Sequence, residues 1–163
     1  MTIRTIETKV YTIDSHPNPS VCYEWIRNNW YDLGDYIVEE VIDSLKAFAD
    51  HIGATLDYSV SIVPHRGEHI SFECPHSLGN VMIDIDLSGN CPFTGVYYDE
   101  IICDVFRDAA GNANTGLDDV MNEIGFRMLK AIHNEGEYIY SDKGLREMCE
   151  ANEYEFNEDG SLD

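Results

Sequence analysis

An α+β fold is what this chain of 163 residues predicts: a small antiparallel β-sheet of three to five strands with about five helices packed against it. Three observations carry the prediction. Residues 55–62 alternate apolar and polar side chains at strand period, with Leu56, Tyr58, Val60 and Ile62 on one side. Residues 35–52 repeat their apolar side chains at helical period along one face. The second half of the chain continues in further helical patterns, and its length suits one domain, residues 1–163, burying about 70% of its unfolded surface.

In chain order, residues 3–13 alternate weakly and end in Val10-Tyr11-Thr12-Ile13, a first strand broken by Pro17 and Pro19. Ser20 reads as the N-cap of a helix to Leu33, with Cys22, Ile26, Trp30 and Leu33 on one face. The helix from Asp35 to Ile52 ends at Gly53, the residue type that best adopts the left-handed cap. The strand at 55–62 turns through Pro64-His65-Arg66-Gly67-Glu68 and returns at Ile70 and Phe72 as a hairpin. Val81, Ile83, Ile85 and Leu87 alternate with Met82, Asp84 and Asp86, which predicts another strand. Helices follow at 96–109, at 116–134 after Thr115, and at 142–152 after Ser141, before a short strand and acidic tail at 153–163.

The composition is dominated by acid: 31 Asp and Glu against 10 Lys and Arg give a net charge of −21. A hydrophobic share of 44% nevertheless marks a chain that folds. So negative a surface repels phosphate backbones and anionic membranes, so no direct nucleic acid and no membrane is expected among its partners. The expected partners are basic, with homodimerisation left open. The N-terminus lacks a signal-peptide core and no apolar run is long enough to span a bilayer. Five scattered cysteines, an odd number, fit reduced thiols and a cytoplasmic location.

Catalytic patterns are absent. The segment Gly111-Asn112-Ala113-Asn114-Thr115-Gly116 lacks the Lys of a phosphate-binding loop, and no serine sits in a nucleophile elbow. His65, His69, Cys74 and His76 have metal-ligand chemistry, but their spacing matches no zinc motif, and exposed turn histidines beside a loop cysteine are the simpler reading. No catalytic residue, metal or cofactor is therefore assigned. Asp84 and Asp86, two apart on the expected strand, would share one face about 7 Å apart, a spacing near that of glycosidase carboxylates but more simply a solvated outer face.

The arrangement of the acids is more telling than their number. Asp35, Glu39 and Asp43 recur every four residues, one carboxylate per ~6 Å of helix, and Glu100, Asp104 and Asp108 repeat that spacing. Like charges at this spacing oppose helix formation, so two such ladders call for a function. By contrast Asp119, Glu123, Arg127 and Lys130 form a self-neutralising stripe. A salt-adapted coat would be even; here residues 147–163 carry seven acids and no base.

The ending Glu150-Ala151-Asn152-Glu153-Tyr154-Glu155-Phe156-Asn157-Glu158-Asp159-Gly160 resembles the close of a family of small uncharacterised phage and prophage proteins. These finish with a helix, Asn, an aromatic residue, Phe and an acidic Asp-Gly turn. The opening Lys9-Val10-Tyr11 strand, the helix bearing Trp25 and Trp30, and helix 35–52 follow the same order. That family favours a Gly-Asp-Gly turn at the hairpin where this chain has His65-Arg66-Gly67-Glu68-His69. In type the chain is also similar to phage-encoded acidic DNA mimics, which include anti-restriction and anti-CRISPR proteins. These likenesses imply a non-catalytic inhibitor in the host cytoplasm that binds a basic nucleic-acid-binding protein of a host defence complex. Asp35, Glu39, Asp43, Asp84, Asp86, Glu100, Asp104 and Asp108 are the expected contact residues. An antitoxin-like regulator of a basic partner is the alternative, and a metal- or thiol-dependent enzyme using the His/Cys cluster is the second alternative.

Overall fold

The computed structural model describes residues 9–89, 91–112 and 114–163. Of the expected first strand, residues 3–8 lie outside this set, as does Ala113 of the glycine-containing loop. Among the described residues the architecture is α+β, with six helices and four strands paired into two separate two-stranded antiparallel sheets. The chain falls into two compact units, one built from residues 1–33 with 137–163, the other from residues 34–136.

In the first unit, β1 (Tyr11–Thr12) pairs antiparallel with β4 (Glu155–Phe156), in the register Tyr11 to Phe156. α1 (Pro19–Asn29) begins with Pro19 rather than capped by Ser20, because proline's fixed φ and missing N–H suit the first helical position. It stops at Trp30, short of Leu33. α6 (Asp142–Ala151) starts where Ser141 predicts: the Ser141 hydroxyl accepts the Gly144 N–H at 3.0 Å. α1 and α6 close over Cys22, Ile26, Leu145, Cys149 and Phe156, all about fully buried. Arg27 fastens the pair, donating to the Tyr140 carbonyl at 3.0 Å and to Asp142 at 2.5 Å. Trp25, Trp30 and Tyr154 stack edge to face along the same core, with centroid separations of 6.5 and 5.3 Å.

The second unit is organised by α2 (Asp35–Ile52), which ends as expected at Gly53 with φ +67°. Its apolar face buries Ile37, Val41, Leu45, Phe48 and Ile52. Phe48 meets Phe72, Phe93 and Phe106 edge to face at 5.6, 5.4 and 5.7 Å, pairs that each add about 0.5–1.5 kcal/mol beyond their burial. β2 (Thr55–Ser59) and β3 (His69–Glu73) form the expected hairpin, Tyr58 opposite Ile70.

Residues 81–87 are not a strand. α3 (Leu78–Asp84) occupies this stretch, capped by the Ser77 hydroxyl, which accepts the Asn80 N–H at 3.4 Å. Val81 and Ile85, four apart, are buried while Ile83 is 82% exposed, so the apolar residues obey helical rather than strand period. Asp84 and Asp86 consequently share no sheet face.

α4 (Tyr98–Ala110) and α5 (Leu117–Ile139) complete the set, α5 running five residues past its expected end. Gly136, two residues past that expected end, is a buried contact within the helix: a Cβ there would lie 2.5 Å from the Ile62 carbonyl oxygen. At the start of α4 the fully buried Asp99 accepts the backbone N–H groups of Phe93, Thr94 and Gly95 at 2.9, 2.7 and 3.0 Å and the Thr94 hydroxyl at 2.9 Å. Burial pushes its carboxyl up, and these bonds with the Ser44 hydroxyl outweigh that and hold it below its ordinary value. No helix among the described residues is long and apolar enough to cross a membrane.

Candidate partner-binding surface

Both units are acidic, with 18 acids to 5 bases in residues 34–136 and 13 to 5 in the other unit. The distribution of bases decides which carboxylates remain uncompensated. On α2 the apolar face is consumed by the core, which leaves Asp35, Glu39, Glu40 and Asp43 exposed on the outer side. None of these four makes an ion pair among the described residues. Lys46, one turn on, sits 5.9 Å from the centroid of the Tyr58 ring instead, where the aromatic face attracts its ammonium. Val38, Glu39, Ile42, Asp43, Lys46 and Tyr58 enclose a shallow cleft of about 300 Å³ beside the ladder.

The ladder on α4 is different. Asp104 pairs with Arg107 at 2.6 Å and Asp108 with Arg127 at 2.8 Å, while Arg127 also holds Glu123 at 2.7 Å. Those hydrogen bonds push the Arg127 guanidinium's pKa up further. Arg107 also donates to the carbonyls of Leu87 and Gly89 at 3.1 and 3.0 Å, so it is fixed as a clamp on that loop. Glu100 is half-buried. The expectation of two unneutralised ladders is therefore corrected to one, on α2. Arg107 stands three residues from Asp104 in sequence, but Arg127 reaches Asp108 from another helix.

Asp84 and Asp86 are brought to different tasks. The Asp84 carbonyl accepts from His51 Nε2 at 2.7 Å, and its residue lines an open cleft of about 550 Å³ with Asp50, His51, Gly53, His76 and Ile83. Asp86 accepts the Ser88 hydroxyl at 2.6 Å and backbone N–H at 2.9 Å, which hold its carboxyl below the usual value.

The four residues with metal-ligand chemistry are dispersed. His65 lies between the hydroxyls of Ser59 and Ser61, 3.2 Å from its Nε2 and 3.4 Å from its Nδ1. His69 bonds the Gly67 carbonyl at 2.9 Å and Asp57 at 3.1 Å, and both raise its pKa. Cys74 approaches the Ile52 carbonyl, and His76 stands over Gly53. Among the described residues no group of three His, Cys, Asp or Glu is placed to hold a metal ion.

Sequence reasoning missed Glu68. Its side chain, 9% exposed, accepts the Ser61 N–H at 3.3 Å and lies 3.7 Å from His65 Nδ1 and 2.8 Å from His133 Nε2. His133 Nε2 is buried and, though close to Glu68, makes no aligned hydrogen bond with it. The Ser59–His65–Glu68 sequence has the order of a hydrolytic triad, but the 3.7 Å separation is too long for a base-orienting hydrogen bond. Only a neighbouring His133 from a distant helix makes Glu68 legible, and no local pattern announces it. The chain matches no protein-family model, no curated protein and no solved structure.

Proposed function

We propose that the protein is a non-catalytic acidic inhibitor of the nucleic-acid-mimic type, which docks on the basic nucleic-acid-binding surface of another protein through the outer face of α2. A host defence complex encountered by a phage is the target class this reading favours. The observation that carries it is the row Asp35, Glu39, Glu40 and Asp43, exposed on one rigid helix and without ionic partners among the described residues. Asp35, Glu39 and Asp43 repeat at ~6 Å along the axis, and like charges so placed oppose the helix that carries them. A basic groove that normally tracks phosphates offers compensating charge. The α4 ladder is a secondary contributor, because Arg107 and Arg127 already engage Asp104 and Asp108.

The test is to capture nucleic-acid-binding proteins from a bacterial extract on the immobilised chain, then measure binding of the captured protein directly. Duplex DNA should compete for it. Affinity should fall steeply between ~0.1 and ~1 M salt, as the Debye length shrinks from about 10 to 3 Å. Neutralising α2 with D35N, E39Q and D43N together should weaken it by about tenfold or more, and D104N with D108N by less. Binding that ignores salt, or survives the α2 triple substitution, would sink the proposal.

A further inference from the structure

α5 carries an exposed ridge unlike the rest of this surface. Asp118, Asn122, Phe126 and Lys130, four residues apart, all face solvent, and Phe126 is 61% exposed. The other side of the helix is committed to the core through Val120, Met121, Ile124, Met128 and Ile132. Among the described residues the ion pairs of this helix belong to Glu123 and Arg127. Asp118 and Lys130 therefore have no ionic partner among the described residues. An acid, an amide, an aromatic ring and a base in that order form a pattern that complements itself when read backwards.

We propose that this ridge is a two-fold interface between two copies of the chain. With the axis midway between Asn122 and Phe126, Asp118 meets the partner's Lys130 and Lys130 meets the partner's Asp118. Phe126 then packs beside the partner's Asn122, and the two phenyl rings flank the axis and leave water together. A closed pair requires the same patch on both subunits to be self-complementary, and this ridge is. Residues four apart lie along the ridge that interdigitates in the commonest helix packing, with axes crossing near −50°. Charge selects a second copy over other occupants. A partner that is basic along its whole contact is opposed by Lys130, and one that is acidic along it by Asp118. A second copy places each charge against its opposite. Because one helix ridge is a small contact, the pair is weak and forms with rising concentration.

Sedimentation equilibrium of the full chain over a concentration series tests this. A monomer–dimer equilibrium is expected, and it should tighten as salt rises from ~0.01 to ~0.15 M, since screening relieves repulsion between two strongly acidic bodies. The α2-mediated binding proposed above should respond to salt in the opposite sense, so the two readings fail separately. F126D should leave the chain monomeric. K130D, which sets two carboxylates against each other at both ends, should weaken pairing by about tenfold. D118K combined with K130D should restore it, because each new charge again faces its opposite. All these positions are exposed, and far-UV circular dichroism confirms that each variant is folded. A chain that stays monomeric at every concentration, a dimer indifferent to F126D, or a double variant no better than K130D overturns the proposal.

Discussion

A Cβ placed on Gly125 would lie 2.7 Å from the carbonyl oxygen of Ile70, so α5 rests against the β3 backbone with no room for a side chain. Gly136 repeats the relation with Ile62 at 2.5 Å. Alanine at either position must push the helix off the hairpin. Despite alanine's better helix propensity, G125A and G136A should each destabilise by about 1–3 kcal/mol in urea unfolding. Gly79 in α3 meets nothing within 4 Å, and G79A should be neutral or stabilise by up to about 1 kcal/mol. Equal effects at Gly79 and Gly136 would refute the close approach.

Asp99 gives a prediction with a pH sign. Its folded carboxyl titrates below its unfolded value of about 3.9, so it contributes stability that is complete above that value and lost as pH falls through the folded pKa. D99N should cost about 2–4 kcal/mol at neutral pH, from weaker acceptance of three backbone N–H groups and a mismatched amide. The gap between wild type and D99N should narrow on acidification below about pH 4. Chemical denaturation at neutral and acid pH measures both; a gap that widens toward low pH contradicts the assignment.

The five thiols should separate into two classes. Burial raises the thiols of Cys22 and Cys103, and pushes that of Cys149 up to about 11, with the nearby Cys22 and Glu150 adding to the rise. Thiolate is the reactive form, so these three should be inert to a disulfide reagent at neutral pH. Cys74 and Cys91 are half-exposed and should react in the native protein. Two thiols before denaturant and five after is the expected titration.

A chain with 31 acids and 10 bases strains against its own field. Raising ionic strength from ~0.01 to ~0.15 M cuts the Debye length from about 30 to 8 Å. Each kcal/mol of repulsion relieved should lift Tm by about 2–4 °C for a protein of this size. A Tm that falls with added sodium chloride would show that the exposed ion pairs around Arg127 and Arg146 outweigh the repulsion.

Where a signal is local, it is legible in the chain. α2, its glycine stop, the β2–β3 hairpin and the serine cap of α6 follow from periodicity and cap chemistry within a few residues. The misreading at 81–87 arises because Val81, Ile83 and Ile85 satisfy strand period, while Val81 and Ile85 also satisfy helix period. The Ser77 cap and the exposure of Ile83 show which period the fold uses. The end of α5 escapes because glycine is a poor helix former, while the close approach that Gly136 permits is to Ile62, far away in sequence. For the surface, the spacing of the acids is visible but their compensation is not, since Arg127 reaches Asp108 across two helices. Glu68 and Asp99 escape for the same reason: their burial is set by residues far along the chain or by backbone N–H groups that no side-chain pattern displays.

The chain's two tryptophans, Trp25 and Trp30, both belong to the unit of residues 1–33 and 137–163, where Trp30 also packs on Tyr154. Selectively excited indole emission is thus a reporter confined to that unit, blind to α2 and the hairpin. Far-UV ellipticity, by contrast, sums the helices of both. Superimposing the two signals during one unfolding experiment reads directly whether the chain melts as one cooperative block or as two.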